Sequence, residues 1–278
     1  MHDDYLLTFV SVEYLSPREK YLLFDYFKSA EQIFRASLDD LYFSGIAGYD
    51  KYKRLKREKI NSSLGRIIND NKIQVISLTD GEYPHGLAQI YDPPVALFIK
   101  GKLPEERKIA IVGSRKCSNE SLVQVRELAV NLSKEGFCIV SGMARGIDSS
   151  AHWGALEAGR TIAVLGTGLD ICYPPENNAL KALIEDKGCT VSEYLPGKRP
   201  TRYSFPARNR IISGLSEAVI VADAGERSGS LITAGFALDQ GKDVYVLGTE
   251  DNIHGTGSRG LYDDGAPLIS TDVSFFFD

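Results

Sequence analysis

The sequence IAIVGSR at residues 109–115 places a short apolar run directly before a glycine, a serine and an arginine. Similar apolar runs return at regular intervals, and helix-compatible segments separate them. Buried runs that alternate with amphipathic helices are typical of parallel strands joined by right-handed crossovers. We therefore predict an α/β fold with a doubly wound, mostly parallel sheet. The predicted strands are 73–78, 95–99, 109–112, 138–140, 161–165, 189–192, 218–221 and 243–247, and the predicted helices include 121–135, 148–158 and 230–240.

The N-terminal part of the chain has the spacing of short helices instead. Ser16 is a predicted N-cap, with Pro17 at the first helical position and Glu19 at the third. The sequence FSGIAG at residues 43–48 fits the phosphate-binding turn of a helix-hairpin-helix motif, and it also fits two glycines that end one helix and begin the next. We predict a small all-helical domain at residues 1–75 and an α/β domain at residues 76–278.

The composition describes an ordinary globular protein, with 43% hydrophobic and 25% charged residues. No apolar run reaches the ~18 residues that span a bilayer, and acidic residues stand in the first ten positions, where a signal peptide would carry basic ones. We therefore expect a cytoplasmic protein. The four cysteines form no C-x-x-C pair, so neither a zinc site nor a disulfide framework is predicted. No metal or cofactor is expected.

Four loops that follow predicted strands are rich in glycine, hydroxyl groups or arginine, at residues 113–115, 141–148, 166–170 and 225–233. Ligands of doubly wound sheets bind outside the carboxyl ends of the strands. Backbone N–H groups at helix N-termini in such loops bind anions, and Arg115 adds a positive charge. The pattern indicates a site for phosphate groups.

The stretch KRPTRYSFPARNRIISGLS at residues 198–216 carries five basic residues and no acidic one, although the formal net charge of the chain is −5. We interpret it as a basic loop. Guanidinium groups hold phosphates and exposed rings such as Tyr203 and Phe205 stack on bases, so the loop suits a nucleic-acid strand. A solvated basic loop is the alternative. Residues 107–213 contain fifteen Lys or Arg against ten Asp or Glu, whereas residues 214–278 contain three against eleven, so a polyanion would bind the middle of the chain.

The sequence contains no clear catalytic apparatus. The segment GTGLDI after the strand at 161–165 lacks the third glycine of a dinucleotide fingerprint, and no phosphate-binding loop of the G-x-x-x-x-G-K-[ST] type occurs. We interpret His152 as a structural histidine inside a helix, and Asp148 and Asp170 as helix-capping or turn residues. The sequence therefore indicates anion binding rather than enzymatic chemistry.

Several long motifs in a fixed order resemble those of the DNA-processing protein A (DprA/Smf) family. They are SGMARGID at 141–148, LGTGLDICYPPEN at 165–177, SEYLPG at 192–197, FPARNRIISGLS at 205–216 and SGSLITA at 228–234. The N-terminal helices are similar to the family's small sterile-alpha-motif-like domain. The chain resembles the shorter, streptococcal-type members, which lack a C-terminal winged-helix domain.

The resemblance implies an extended Rossmann-like fold and a homodimer. It also implies sequence-nonspecific binding of single-stranded DNA during bacterial natural transformation, in which the protein protects the incoming strand and loads the RecA recombinase. By motif position, the residues implied to bind single-stranded DNA are Gly113, Ser114, Arg115, Arg145, Gly146, Lys181, Arg208, Asn209, Arg210, Ser228, Gly229 and Thr233.

Two expectations keep an alternative. Leu261, Tyr262, Leu268 and Ile269 form a small apolar group in the acidic C-terminal segment; they suit a dimer interface, or they pack the last strand against the sheet. The glycine-rich loops also resemble those of the lysine-decarboxylase-like nucleotide phosphoribohydrolases. The P-G-G-x-G-T-x-x-E motif of those enzymes does not occur in this sequence, and its absence favours DNA binding.

Overall fold

The structure of the protein is a computed structural model that describes residues 3–273. Within these residues the strands form one nine-stranded sheet with the order β1-β2-β6-β5-β4-β3-β7-β8-β9. The strands are β1 Gln74–Ser77, β2 Ala96–Gly101, β3 Lys108–Gly113, β4 Cys138–Ser141, β5 Thr161–Val164, β6 Cys189–Ser192, β7 Ala218–Ala222, β8 Asp243–Leu247 and β9 Leu268–Ile269.

The strands numbered β3 to β9 all pair in parallel with their neighbours among themselves. Beyond β6, the strands β2 and then β1 extend the sheet with antiparallel pairing. From β3 the chain builds outward through β4, β5 and β6, and it then returns to place β7 on the other side of β3. The strand order therefore reverses between β3 and β7. This arrangement confirms the predicted doubly wound α/β class, and the crevice of such a sheet opens where the order reverses.

Helices cover both faces of the sheet. Ile109 and Ile111 of β3 face one apolar cluster with the helices at residues 119–134 and 147–158, while Ala110 and Val112 face a second cluster with the helices at residues 204–215 and 229–239. This alternation is the period of two expected for a strand buried on both faces. The helices of the α/β part are α7 His85–Ala88, α8 Asn119–Lys134, α9 Ile147–Ala158, α10 Asn178–Lys187, α11 Ser204–Leu215, α12 Gly229–Asp239 and α13 Thr256–Asp263.

The N-terminal module is helical, as predicted. Ser16 and Glu19 form a capping box at the start of the second helix, with Pro17 at its first position. The apolar faces of these helices pack together and onto Val95 and Ala96 beside β2. The division after residue 75 remains a prediction; β1 begins before it, at Gln74. The helices are α1 Asp4–Ser11, α2 Pro17–Phe27, α3 Ala30–Arg35, α4 Leu38–Phe43, α5 Tyr49–Leu55 and α6 Ser63–Asp70.

The structure corrects one sequence-based interpretation and decides between two alternatives for one residue. Much of the stretch interpreted as a basic loop is the helix α11, which packs against the sheet and buries its central residues. Ile269 belongs to the core, since β9 pairs with β8 and the Ile269 side chain is 3% exposed. It therefore cannot lie on a free dimer surface. Leu261, Tyr262 and Leu268 are half-buried, and the Tyr262 hydroxyl donates to Glu250 Oε1 at 2.9 Å.

Among residues 3–273, no helix is both long and apolar enough to cross a membrane. The same residues contain no group of three or more histidine, cysteine or acidic side chains arranged to hold a metal ion.

Candidate nucleic-acid interface

A cavity of about 910 Å³ opens at the carboxyl ends of β3 and β7, where the strand order reverses. Its walls are the loops after these two strands, the segment before α11 and the first turns of α11 and α12. We call this cavity the switch-point pocket. Eight of the twelve predicted contact residues line it: Gly113, Ser114, Arg115, Arg208, Asn209, Ser228, Gly229 and Thr233.

The loop after β3 is held by close backbone contacts. A Cβ on Gly113 would lie 2.1 Å from the carbonyl oxygen of Ala222, so no other residue fits there. Gly146 has φ of 74°, a conformation that favours glycine, and a Cβ on it would lie 2.4 Å from the Ser114 carbonyl oxygen. The Ile147 amide donates to that same carbonyl at 3.2 Å. Gly146 therefore fixes the loop from behind instead of lining the pocket.

Four exposed cations surround the pocket. They have no ion-pair partner in the part of the chain that the structure describes, and three of them lie in loops or segments that the sequence singled out, while Lys116 directly follows the loop at residues 113–115. Arg115 was predicted as a contact residue, but the other three were not. The four are Arg115, Lys116, Arg202 and Arg227.

Two aromatic rings stand beside these cations. The ring centroids of Tyr173 and Phe205 are 5.3 Å apart with an angle of 36° between their planes. The Arg115 guanidinium lies 5.6 Å from the centroid of Phe205. Tyr173 is 42% exposed, so one end of this short stack is open to solvent. The arrangement offers a cation and ring faces within one pocket, as binding of a nucleotide strand requires.

The N-terminus of α12 forms the opposite wall. Ser228 caps this helix by accepting from the Ser230 amide at 3.4 Å, and the side-chain amide of Asn209 donates to the Gly229 carbonyl at 3.0 Å. Asn209 and Thr233 are buried, at 8% and 1% exposure. Asn209 therefore positions the loop of α12, whose N-terminus faces the pocket.

Arg208 lies in the pocket wall, but its guanidinium is occupied by protein acceptors. It donates to the carbonyl oxygens of Gly142, at 2.8 Å, and Val164, and to Asn209 Oδ1 at 3.1 Å. Burial lowers its pKa to about 10, while the neighbouring Asp148 carboxylate opposes that shift. The expectation that Arg208 binds a phosphate is therefore corrected: its contacts hold the loops that follow β4 and β5.

Arg210 and Lys181 do not line the pocket. The Arg210 guanidinium makes two hydrogen bonds of 2.8 Å to the Glu193 carboxylate and an ion pair of 3.1 Å with Asp92. Burial works against its charge, but Glu193 raises the pKa of Arg210. Lys181 is 7% exposed and pairs with Glu185 one helical turn away. Both side chains are committed to internal ion pairs, so neither has a free donor for a strand.

Arg145 lies at a smaller cavity of about 50 Å³ that adjoins the pocket and shares Arg115, Tyr173 and Phe205 with it. Its exposed guanidinium pairs with Glu176, and the hydrogen bond from Arg145 lowers the pKa of Glu176. Arg145 thus lies beside the pocket instead of in its wall, with an acidic partner that a phosphate would have to replace.

The residues considered for chemistry have structural contacts. His152 is fully buried and its Nδ1 lies 2.7 Å from the hydroxyl of Thr161; burial, and then Arg208, lower its pKa to about 3. Both carboxylate oxygens of Asp170 accept from the Gly197 amide at 2.9 Å. Asp148 accepts from the Ala144 amide at 3.3 Å, and burial raises its pKa.

The family model of DNA recombination-mediator protein A matches residues 74–276. The chain belongs to this family. It is 45% identical over 204 residues to the DNA processing protein DprA of Streptococcus pneumoniae, covering 72% of each chain. It is 36% identical over 270 residues to the protein Smf of Borreliella burgdorferi, covering 96% of this chain and 85% of that one. Membership in the family confirms the predicted recombination-mediator class.

Solved structures of family members agree with the fold. The DNA processing protein A of Streptococcus pneumoniae superposes with a TM-score of 0.83 at 36% identity and covers 97% of this chain and 95% of that one. The family member from Helicobacter pylori was solved to examine its single-stranded DNA binding mode. It gives a TM-score of 0.65 at 31% identity and covers 74% of this chain and 94% of that one.

Proposed function

We propose that this family member binds single-stranded DNA without sequence preference in the switch-point pocket. The observation that carries the proposal is the group of unpaired cations, Arg115, Lys116, Arg202 and Arg227, around the rings of Tyr173 and Phe205. Phosphates would bind the guanidinium groups and the N–H groups of α12, while bases would stack on the open ring face. Phosphates and ring faces are common to all four nucleotides, which accounts for binding without sequence preference.

Fluorescence anisotropy with an oligo-dT probe tests this proposal. Replacing Arg115 with alanine removes a charge-assisted hydrogen bond to phosphate and should weaken binding by about 1.5–3 kcal/mol, or roughly tenfold to a hundredfold. The slope of log affinity against log salt concentration should fall in magnitude by about 0.7 for each phosphate that is no longer neutralised. Arg66→Ala is a matched control, because Arg66 is an exposed arginine of α6 that lines neither the pocket nor its neighbouring cavity.

The same titration can contradict the proposal. A weakening by Arg115→Ala that depends on base composition would mean that Arg115 reads bases rather than phosphates. Equal affinities of wild type and Arg115→Ala at low salt would place the strand elsewhere on the protein.

We further propose that the protein acts in natural transformation as a homodimer that protects the incoming strand and loads RecA. Leu268 lies in β9 at the edge of the sheet, and Leu261 and Tyr262 lie in α13; these three residues are the proposed dimer contacts. Leu268→Arg places a charge at this edge and should convert the dimer to a monomer in light scattering at micromolar concentration. A Leu268→Arg protein that remains dimeric would move the interface to another surface.

The acidic residues Asp239, Asp243, Glu250 and Asp251 are exposed, and we propose them as the surface that meets the recombinase. Reversing their charges should reduce RecA loading in a strand-exchange assay while leaving oligo-dT affinity unchanged. Unchanged loading would remove this surface from the proposal.

A further inference from the structure

A second cavity, of about 670 Å³, lies between the N-terminal helices and the α/β part of the chain. One wall is formed by the end of α1, the following turn and the start of α2. The other wall is the segment from Glu193 to Ala207, which leads from β6 into α11. We call this cavity the interdomain groove. Family membership and the switch-point pocket account for none of its charges.

The groove has an excess of available positive charge. Lys20, Lys198 and Arg199 line it, against Glu13 and Glu193. Glu193 is engaged by its two hydrogen bonds to Arg210, a cation that it shares with Asp92. An anion in the groove would therefore meet three cations, with Glu13 as the carboxylate that competes directly for Lys198.

Lys20 is the cation placed deepest in this groove. Its ammonium donates to the Val10 carbonyl oxygen at 2.7 Å, and it has no ion-pair partner among residues 3–273. Burial lowers its pKa to about 8, so it stays mostly charged at neutral pH. The charges of Glu193 and Glu13 raise the pKa of Lys20 against this effect, but neither carboxylate is in direct contact with it. An incoming anion would therefore contact the ammonium without displacing a carboxylate.

Glu13 stands at the edge of the groove and pairs with Lys198 at 2.5 Å. The Glu13 side chain is 74% exposed, whereas that of Lys198 is 28% exposed. Because an exposed ion pair contributes little to stability, a phosphate can take the place of Glu13 on Lys198 at small cost.

The groove is continuous with the switch-point pocket. Thr201 lines both cavities, Arg202 lines the pocket, and Tyr203, which is 67% exposed, lines the groove. The Arg202 guanidinium lies 4.6 Å from the centroid of the Tyr203 ring, so the two side chains join the cavities. This short ridge is held in place at its base. Thr201 and Ser204 exchange amide-to-hydroxyl hydrogen bonds of 3.1 Å in both directions, and the Gly168 amide donates to the Lys198 carbonyl at 2.9 Å.

We propose that the interdomain groove is a second subsite for single-stranded DNA, which receives the strand as it leaves the switch-point pocket across the ridge at residues 200–203. Lys20, Lys198 and Arg199 bind phosphates there, and a base stacks on Tyr203. The N-terminal module thereby forms one wall of the DNA track. This inference rests on the proposed function, since the pocket supplies the strand that the groove continues.

Titrations with oligo-dT probes of increasing length, from about 4 to 16 nucleotides, distinguish the two sites. Short probes fill the pocket alone, and longer ones also reach the groove. Arg199→Glu and Tyr203→Ala should each weaken binding of long probes by about tenfold, and they should leave short probes within about twofold. Glu13→Gln removes the competing carboxylate and should strengthen binding of long probes.

Arg66→Glu is the matched control, with the same charge change on an exposed arginine of the N-terminal module outside the groove. It should leave the affinity for long probes close to that of the wild type. A second readout is photocrosslinking with 5-iododeoxyuridine along a long probe. Crosslinks should map to Tyr203 by mass spectrometry, and they should persist in Tyr203→Phe, which keeps the ring, and disappear in Tyr203→Ala.

The outcomes separate this inference from the proposed function. If short probes bind and Arg115→Ala weakens their binding, the proposed DNA site in the switch-point pocket is supported. The groove is then overturned if Arg199→Glu, Tyr203→Ala and Glu13→Gln leave long-probe affinity equal to that of the Arg66→Glu control. A groove that binds a protein partner instead would give that result, together with no crosslink at Tyr203. If short probes fail to bind the folded wild type, the proposed function itself fails.

Discussion

Replacing Arg210 with methionine tests whether the buried arginines of α11 hold the fold or bind the strand. Arg210 has 3% of its side chain exposed and its partner Glu193 has 11%. The variant would leave Glu193 buried without its cation, and removing one member of a buried pair costs about 3–5 kcal/mol of the free energy of unfolding. For a protein of roughly this size, that loss corresponds to a fall in Tm of about 6–20 °C.

The assay has two parts, thermal unfolding and oligo-dT anisotropy well below the Tm of the variant. We expect Arg210→Met to lower the Tm while the folded protein binds the strand within about twofold of the wild type. The double variant Glu193→Gln, Arg210→Met should recover part of the lost stability, because Glu193 no longer stays buried as an unpaired charge and only the more exposed Asp92 still lacks its cation. Arg115→Ala should show the reverse pattern, with weaker binding and an unchanged Tm.

One result would refute this reasoning. If Arg210→Met kept the wild-type Tm and reduced strand affinity to the same extent as Arg115→Ala, the Arg210 guanidinium would contact DNA. Its ion pair with Glu193 would then not contribute to the stability of the fold.

Three further predictions concern Glu176, His152 and Gly146. Glu176→Gln releases Arg145 from its ion pair and should raise oligo-dT affinity several-fold in the anisotropy assay; an unchanged affinity would mean that Arg145 makes no phosphate contact. Burial lowers the pKa of His152 from 6.5 to about 3, so just below pH 6.5 the unfolded state binds a proton that the folded state does not. The free energy of unfolding should therefore fall as the pH drops below 6.5, by up to about 1.4 kcal/mol per pH unit. Urea titrations at pH 7, 5 and 4 should show this slope in the wild type and a smaller one in His152→Gln; equal slopes would contradict the assignment. Gly146→Ala places a Cβ against the Ser114 carbonyl oxygen and should weaken strand binding although no charge changes. Gly136→Ala is the control, because φ is also positive at Gly136 but the added Cβ would meet open space. Equal losses of strand affinity in both variants would mean that backbone strain alone causes the effect.

The sheet could be predicted well from the sequence because its strands are buried on both faces. Such strands are continuous apolar runs, and those at Cys189–Ser192 and Asp243–Leu247 coincide with the predicted ranges. The helix α8 begins two residues before its predicted start, at Asn119, because Ser118 accepts from the Ser121 amide as its N-cap.

The helix α11 could not be predicted from its charges. Its arginines indicated a solvent-facing loop, since arginine is seldom buried without a partner. The partners of Arg210 are Glu193 and Asp92, which lie 17 and 118 residues away in the chain, and only the fold brings them together. The ion pair of Lys181 could have been predicted from the sequence, because Glu185 follows it at the i,i+4 spacing of a helical ion pair.

The buried and exposed arginines have separate parts in the proposed interface. Arg208 connects the carbonyl oxygens of Gly142 and Val164, and the adjacent Asn209 holds the Gly229 carbonyl at the start of α12. One turn of α11 thus fixes three of the loops that surround Arg115, which itself has no ion-pair partner among residues 3–273.

This division limits the number of phosphate contacts. Of the five cations at residues 198–216, two are buried in α11 and Lys198 is paired with Glu13, so a count from the sequence overstates the charge available to a strand. Four cations without an ion-pair partner among residues 3–273 surround the switch-point pocket. A short probe that fills only this pocket should therefore bind with a slope of log affinity against log salt concentration of about −3. A long probe that also reaches Lys20, Lys198 and Arg199 should give a steeper slope. Equal slopes for both lengths would confine the phosphate contacts to the pocket.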